Sequence, residues 1–131
     1  MPVKSIHLVF VYGSLRRGSV GAMSVRFPEA TYVAAGKVRG SLYDLGEYPG
    51  LVLDGEASVV TGEMYEVDDD TLYRLDKFEL TSDYSRKKVE VEHGSERTDC
   101  WIYVPERDAG FFRDRALIAS GDWIAHLRSR Q

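Results

Sequence analysis

Val9-Phe10-Val11-Tyr12-Gly13-Ser14-Leu15-Arg16-Arg17-Gly18 carries an apolar run straight into a small-residue loop. The β-branched and aromatic residues between Ile6 and Val11 predict a buried strand, and Gly13-Ser14 predicts its end. A glycine directly after a core strand lets the backbone turn sharply and approach a ligand closely. Successive amide N–H groups can then converge on an anion or a carbonyl oxygen. The same composition also fits an ordinary strand-ending turn. The rest of the chain has to choose between the two.

Working outward, residues 21–26 predict a short helical turn ended by Pro28. Residues 32–43 read as one long or bent strand, with Gly36 and Gly40 as bulge or corner positions. Glu47-Tyr48-Pro49-Gly50 has the proline and glycine of a type II turn. Residues 59–67 alternate on a period of two, placing Thr61, Glu63 and Tyr65 on one face and Val60, Gly62 and Met64 on the other. The polar face fits either solvent or a polar cavity. Asp68-Asp69-Asp70 opens the clearest helix, since carboxylates there cap orphan N–H groups and complement the dipole; Leu72, Leu75 and Phe78 follow as its core stripe. Residues 84–92 and 98–104 predict two strands joined at His93-Gly94-Ser95. Ser120-Gly121-Asp122 caps a last helix over 123–128. Many strands, few helices and several glycine corners predict an α+β fold built on a curved sheet or small barrel.

The chain has 131 residues, 44% hydrophobic and 29% charged. That is the size and composition of one soluble globular domain over residues 1–131. Formal net charge is -4, with 17 basic and 21 acidic residues well mixed, so no basic stripe points to nucleic acid. No apolar run approaches membrane-spanning length and no secretory leader is evident, which predicts a cytoplasmic protein without a membrane partner. The single cysteine, Cys100, lies in the strand-like Asp99-Cys100-Trp101-Ile102, where a small buried hydrophobe is expected rather than a nucleophile.

Several chemistries are absent from the pattern. His7, His93 and His126 have no metal-ligand spacing and no cysteine cluster beside them, so no metal site is expected. There is no Gly-x-Ser-x-Gly elbow, and the glycines of the opening loop match neither a Walker loop nor a dinucleotide fingerprint. Carboxylates remain. Glu79 stands at the end of the 68–78 helix, where the negative end of the dipole and any burial both raise a carboxyl pKa toward neutrality, as a general base near pH 7 requires. On the residues alone, a surface or capping role is the commoner one for a glutamate in that position.

The ordered set decides. Tyr12-Gly13-Ser14-Leu15, Gly40 and Tyr43, Tyr48-Pro49-Gly50, Gly62-Glu63-Met64-Tyr65, Leu75-Asp76-Lys77-Phe78-Glu79 and Tyr84-Ser85-Arg86 occur in that order, and the sequence resembles the gamma-glutamylcyclotransferase-like family, including its gamma-glutamylamine branch. The likeness runs from about Val9 to Tyr103, with a weaker echo at Ser120-Gly121-Asp122-Trp123. It implies a small mixed β-barrel with flanking helices. It also implies an enzyme that releases 5-oxoproline from a gamma-glutamyl amine or peptide without metal or organic cofactor. By matching motif, Tyr12, Gly13, Ser14 and Leu15 would form the substrate-binding loop and Glu79 would be the catalytic acid/base.

Further expectations follow from the same motifs. Tyr84 is expected as a pocket wall or hydroxyl donor, or as a packed aromatic. Glu63 and Arg86 are expected to pair inside the curved sheet. The loops 43–53 and 106–115 are expected to build the acceptor side of the pocket, with Phe111 and Phe112 lining it or packing the core. Leu80 replaces the glycine that follows the glutamate in many relatives, which would narrow the pocket, and Ser14 replaces a common threonine. A non-catalytic module that binds a small carboxylate in the same pocket is the competing reading. The identity of the leaving amine and the oligomeric state are not legible in one sequence.

Overall fold

The computed structural model describes residues 5–18, 21–53, 58–107 and 109–130. The elements run β1 (Ile6–Val11), α1 (Met23–Arg26), β2 (Thr31–Arg39), β3 (Ser41–Asp44), β4 (Pro49–Val52) and β5 (Val59–Asp68), then α2 (Asp69–Leu80), β6 (Tyr84–His93), β7 (Glu96–Pro105), α3 (Ala109–Phe112), β8 (Ala116–Leu117) and α4 (Trp123–Ser129). Five strands close into a barrel in the order β1-β5-β2-β6-β7, and β4-β3-β8 form a separate three-stranded sheet. Neighbouring strands are antiparallel except where β1 runs parallel to β7, at Val9↔Trp101 and Phe10↔Ile102. The fold is the mixed α+β barrel with flanking helices that the sequence leads one to expect.

The second half of the opening strand, Val9 to Val11, lacks polar alternation because it is buried on both faces. Phe10 joins Val60, Met64, Val91, Cys100 and Ile102 in the barrel interior, while Val9 and Val11 pack outward with Leu15, Met23, Leu72 and Leu75 under α1 and α2. A side chain every second residue therefore meets a different core. The barrel corner at Phe10 depends on Gly62, where a Cβ would stand 2.5 Å from Phe10 Cζ and 2.3 Å from the Val11 carbonyl oxygen. No side chain larger than hydrogen fits between these two strands there.

Three expectations change. The strand predicted over 32–43 is two strands broken at Gly40, and the register irregularity lies at Tyr32/Ala34 rather than at a glycine. Pro49-Gly50 does not form the turn. It begins β4, paired with Tyr43 and Asp44, and the reversal lies just before it, with Gly46 at φ 107. Glu63 and Arg86 do not pair. Glu63 meets Arg16, and Arg86 meets Asp76.

Candidate active site

Glu79 is delivered by α2, whose start is fixed by Asp68: its Oδ1 accepts from the Thr71 amide at 2.8 Å. Leu72 and Leu75 are buried at 6% and 0% exposure. Glu79 lies four residues beyond Leu75, so the helical period carries it to the same inward face. The chain then turns at once. Ser82 and Asp83 donate to the Glu79 and Leu80 carbonyl oxygens at 3.0 Å each, Asp83 takes φ 60, and β6 begins at Tyr84.

Opposite stands the loop that ends β1. Its compactness comes from an Arg16 amide to Gly13 carbonyl bond at 3.0 Å and a Met23 amide to Leu15 carbonyl bond at 2.8 Å. Gly13 is required by space: a Cβ would lie 2.9 Å from Pro49 Cγ. Between loop and helix opens a cavity of about 130 Å³. Its wall includes every residue of the 12–15 loop, together with Glu79, Tyr84 and Tyr103. Thus all six predicted site residues, Tyr12, Gly13, Ser14, Leu15, Glu79 and Tyr84, line one cavity.

The electrostatics of Glu79 follow from its isolation. Its side chain makes no hydrogen bond or ion pair among the described residues, and burial pushes its carboxyl from an ordinary 4.5 up to about 7. Burial is the cause of the displacement, because it disfavours the charged form. Tyr12 and Tyr84 are likewise raised, first by burial, and the Glu79 charge adds to both. The Tyr84 hydroxyl lies against the Pro49 carbonyl oxygen at 2.5 Å, and Tyr12 against that of Tyr103 at 2.7 Å. Tyr84 is therefore both a packed aromatic and part of the cavity wall.

Tyr103, Ser82, Tyr48, Pro49 and Phe78 also line the cavity and were not singled out as site residues. Of the two loops expected on the acceptor side, 43–53 supplies Tyr48 and Pro49, whereas no described residue of 106–115 is part of the wall. Phe112 packs instead on Tyr43, with ring centroids 5.1 Å apart. Leu80 is 69% exposed and leaves the cavity untouched, because one residue beyond Glu79 the helix faces outward. Tyr48, Pro49 and Phe78 fall within motifs of the ordered set, and Tyr103 had a strand signal. Its position in β7, inferred as a strand, follows Trp101 and Cys100 at alternating faces, but pairing of β6 with β7 was needed to set it beside Tyr84.

Cys100 is fully buried and its thiol is pushed up to about 11, as expected of a small core hydrophobe. Among the described residues no group of three His, Cys, Asp or Glu side chains is placed to hold a metal ion. No helix among them is long and apolar enough to cross a membrane.

Residues 9–125 match the family model described as gamma-glutamyl cyclotransferase, AIG2-like. The chain belongs to this family. An Escherichia coli relative, gamma-glutamylcyclotransferase family protein YtfP, is 34% identical over 118 residues, covering 88% of this chain and 95% of the relative. A Vibrio cholerae protein provisionally named a gamma-glutamylcyclotransferase is 41% identical over 122 residues, 92% of this chain and 98% of its own. A Mus musculus AIG2-like protein of known structure superposes with a TM-score of 0.73 at 27% identity, over 85% of this chain and 84% of that one. Family membership thus agrees with the barrel and makes this chain one of an enzyme family.

Proposed function

We propose that the protein is a gamma-glutamyl cyclotransferase that releases 5-oxoproline from a gamma-glutamyl amine or peptide, with Glu79 as general acid/base. The observation that carries this reading is Glu79 itself: a carboxyl without a partner, in the wall of a cavity, held near pH 7 by burial. Relatives at 34–41% identity bear gamma-glutamylcyclotransferase names. One from Niallia circulans, 35% identical over 76% of this chain, is named for gamma-L-glutamyl-butirosin B.

The chemistry needs little else. The α-amine of the substrate attacks its own γ-carbonyl carbon, and the C–N bond of a five-membered lactam forms as the carbonyl π bond becomes an oxyanion. Glu79 takes a proton from the attacking nitrogen. When the oxyanion collapses and the bond to the leaving amine breaks, Glu79 returns that proton to the amine. Intramolecular attack removes most of the entropy cost, provided the glutamyl chain is held curled. A cavity of about 130 Å³ suits that role: it is close to the roughly 150 Å³ that accommodates benzene elsewhere, enough for one small ring. The amides of Gly13, Ser14 and Leu15 supply donors for the α-carboxylate or for the oxyanion.

The test is turnover. Purified protein is incubated with a panel of gamma-glutamyl amines and peptides, and 5-oxoproline is measured against Glu79→Gln. Activity on at least one panel member, lost in the variant, is expected. An equally active variant would remove Glu79 from the mechanism. Ligand-dependent thermal stabilisation without any turnover would favour the non-catalytic binding module instead.

A further inference from the structure

Four tyrosines stand in the cavity wall, and three of them, Tyr12, Tyr84 and Tyr103, have the hydroxyl proton committed to the protein. Tyr84 Oη lies 2.5 Å from the Pro49 carbonyl oxygen, Tyr12 Oη 2.7 Å from that of Tyr103, and Tyr103 Oη 2.6 Å from Asp76 Oδ1. A carbonyl or carboxylate oxygen has no proton to give, so the tyrosine is the donor in every pair. A phenol has only one such proton. What Tyr12, Tyr84 and Tyr103 hold out to an occupant is therefore lone pairs. At Tyr12 these are partly used as well, because the Leu51 amide reaches the same oxygen. Tyr84 accepts no hydrogen bond among the described residues.

The charged neighbourhood is equally one-sided. The Glu79 charge acts on the hydroxyls of Tyr12, Tyr84 and Tyr103, which reach it from the β1 loop, β6 and β7. Among the described residues no Lys, Arg or His lines the cavity. The nearest guanidinium on β6, that of Arg86, is held 3.1 Å from Asp76 and stacks 4.3 Å above Trp101. Around Glu79 and Tyr84 the site offers acceptors and a carboxylate; donors come from the loop amides and from the Ser14, Ser82 and Tyr48 hydroxyls.

We propose that Tyr84 Oη and Glu79 together seat the substrate's α-ammonium group, the tyrosine accepting from it rather than donating to the substrate. The proposal rests on the gamma-glutamyl reading above and goes beyond it in two ways. When Glu79 removes one ammonium proton, Tyr84 still holds a second N–H, and the nitrogen lone pair so released is oriented rather than adrift. Once Glu79 has passed that proton to the leaving amine, it takes the second from the ring nitrogen and releases it to the departing amine, leaving an uncharged lactam with a single N–H, which two acceptors fit poorly. Product release is thereby built into the seat.

Equilibrium binding of inert probes tests this without turnover. L-methionine sulfone keeps the glutamyl skeleton and α-amine but has no carbonyl to attack; its deaminated analogue, methylsulfonylbutanoate, lacks only the amine. Wild-type protein is expected to bind the aminated probe at least tenfold more tightly, as a hydrogen-bonded charge warrants, and 5-oxoproline more weakly than the aminated probe. The preference should grow between pH 6 and pH 8 as Glu79 ionises, while the amine stays protonated throughout. Tyr84→Phe should shrink the preference several-fold and leave the deaminated probe nearly unaffected. Equal affinity of the two probes for wild type overturns the seat and leaves the gamma-glutamyl reading standing. So does equal weakening of both by Tyr84→Phe, which marks a wall residue. Binding of neither probe removes the gamma-glutamyl reading and the seat with it.

Discussion

Glu63 and Glu79 are two inward-facing glutamates placed by neighbouring elements, and they are treated in opposite ways. Glu63, 7% exposed on β5, is surrounded: Arg16 Nε at 3.4 Å, the Arg17 amide at 2.9 Å and the Tyr65 hydroxyl at 3.2 Å. Glu79, at the end of α2, has none of these and is left protonatable near neutrality. One carboxylate fixes the loop that follows β1; the other stays free to move protons. What separates structure from chemistry here is the count of partners, since both side chains are acids removed from water.

The comparison breaks most easily at Glu79. Glu79→Gln should lower turnover about 10²–10⁴-fold, the usual worth of a positioned acid/base, in the 5-oxoproline assay. Wild-type kcat/KM should rise with pH through about 7 and then level, and the variant should lose that limb. The same substitution should act oppositely on stability. A carboxyl whose folded pKa is raised binds more protons folded than unfolded, so wild-type stability falls as pH climbs from about 4.5 to about 7. Chemical denaturation at pH 8 should find Glu79→Gln more stable than wild type, by no more than ~3 kcal/mol.

At Glu63 the signs reverse. Glu63→Leu leaves Arg16, at 9% exposure, with Asp122 still beside it but one carboxylate fewer, and stability should drop by about 1–3 kcal/mol in urea titrations. Catalysis by the surviving folded protein should keep its acid limb near pH 7, because Glu79 is untouched. Leu75→Ala, one helical turn before Glu79, should cost about 2–5 kcal/mol through the cavity it leaves. The smallest effect belongs to Leu80→Gly. With 69% of the side chain in solvent, turnover should be unchanged and stability should fall by at most about 1 kcal/mol of helix propensity.

The sequence carried this contrast only in part. Local signals were strong for β1, for the Asp68 cap of α2 and for the Asp122 cap of α4, whose Oδ1 accepts from the Ala125 amide at 3.0 Å. Those devices act within a few residues and leave a pattern. The motif set led to all six residues that now line one cavity. Glu79 could have been placed inward by its spacing from Leu72 and Leu75 alone. The partner of Glu63 was out of reach because Arg16 lies 47 positions earlier in the chain, joined to it only when β1 and β5 pair. Tyr103 enters the wall for a similar reason: closure of the barrel sets β7 beside β1 in parallel, and no local preference encodes that. Pro49-Gly50 misled because a turn-forming pair was read without its strand partner.

Asp122 does two things with one oxygen. Its Oδ1 starts α4 through the Ala125 amide and also holds Arg16 Nη1 at 2.8 Å. Arg16 in turn sits against Glu63. The last helix of the fold is thus mechanically in series with the loop that faces Glu79, more than a hundred residues earlier. Unwinding the first turn of α4 slackens the loop at the far end of that chain of charges, so the geometry of the cavity is held partly by a helix that never touches it.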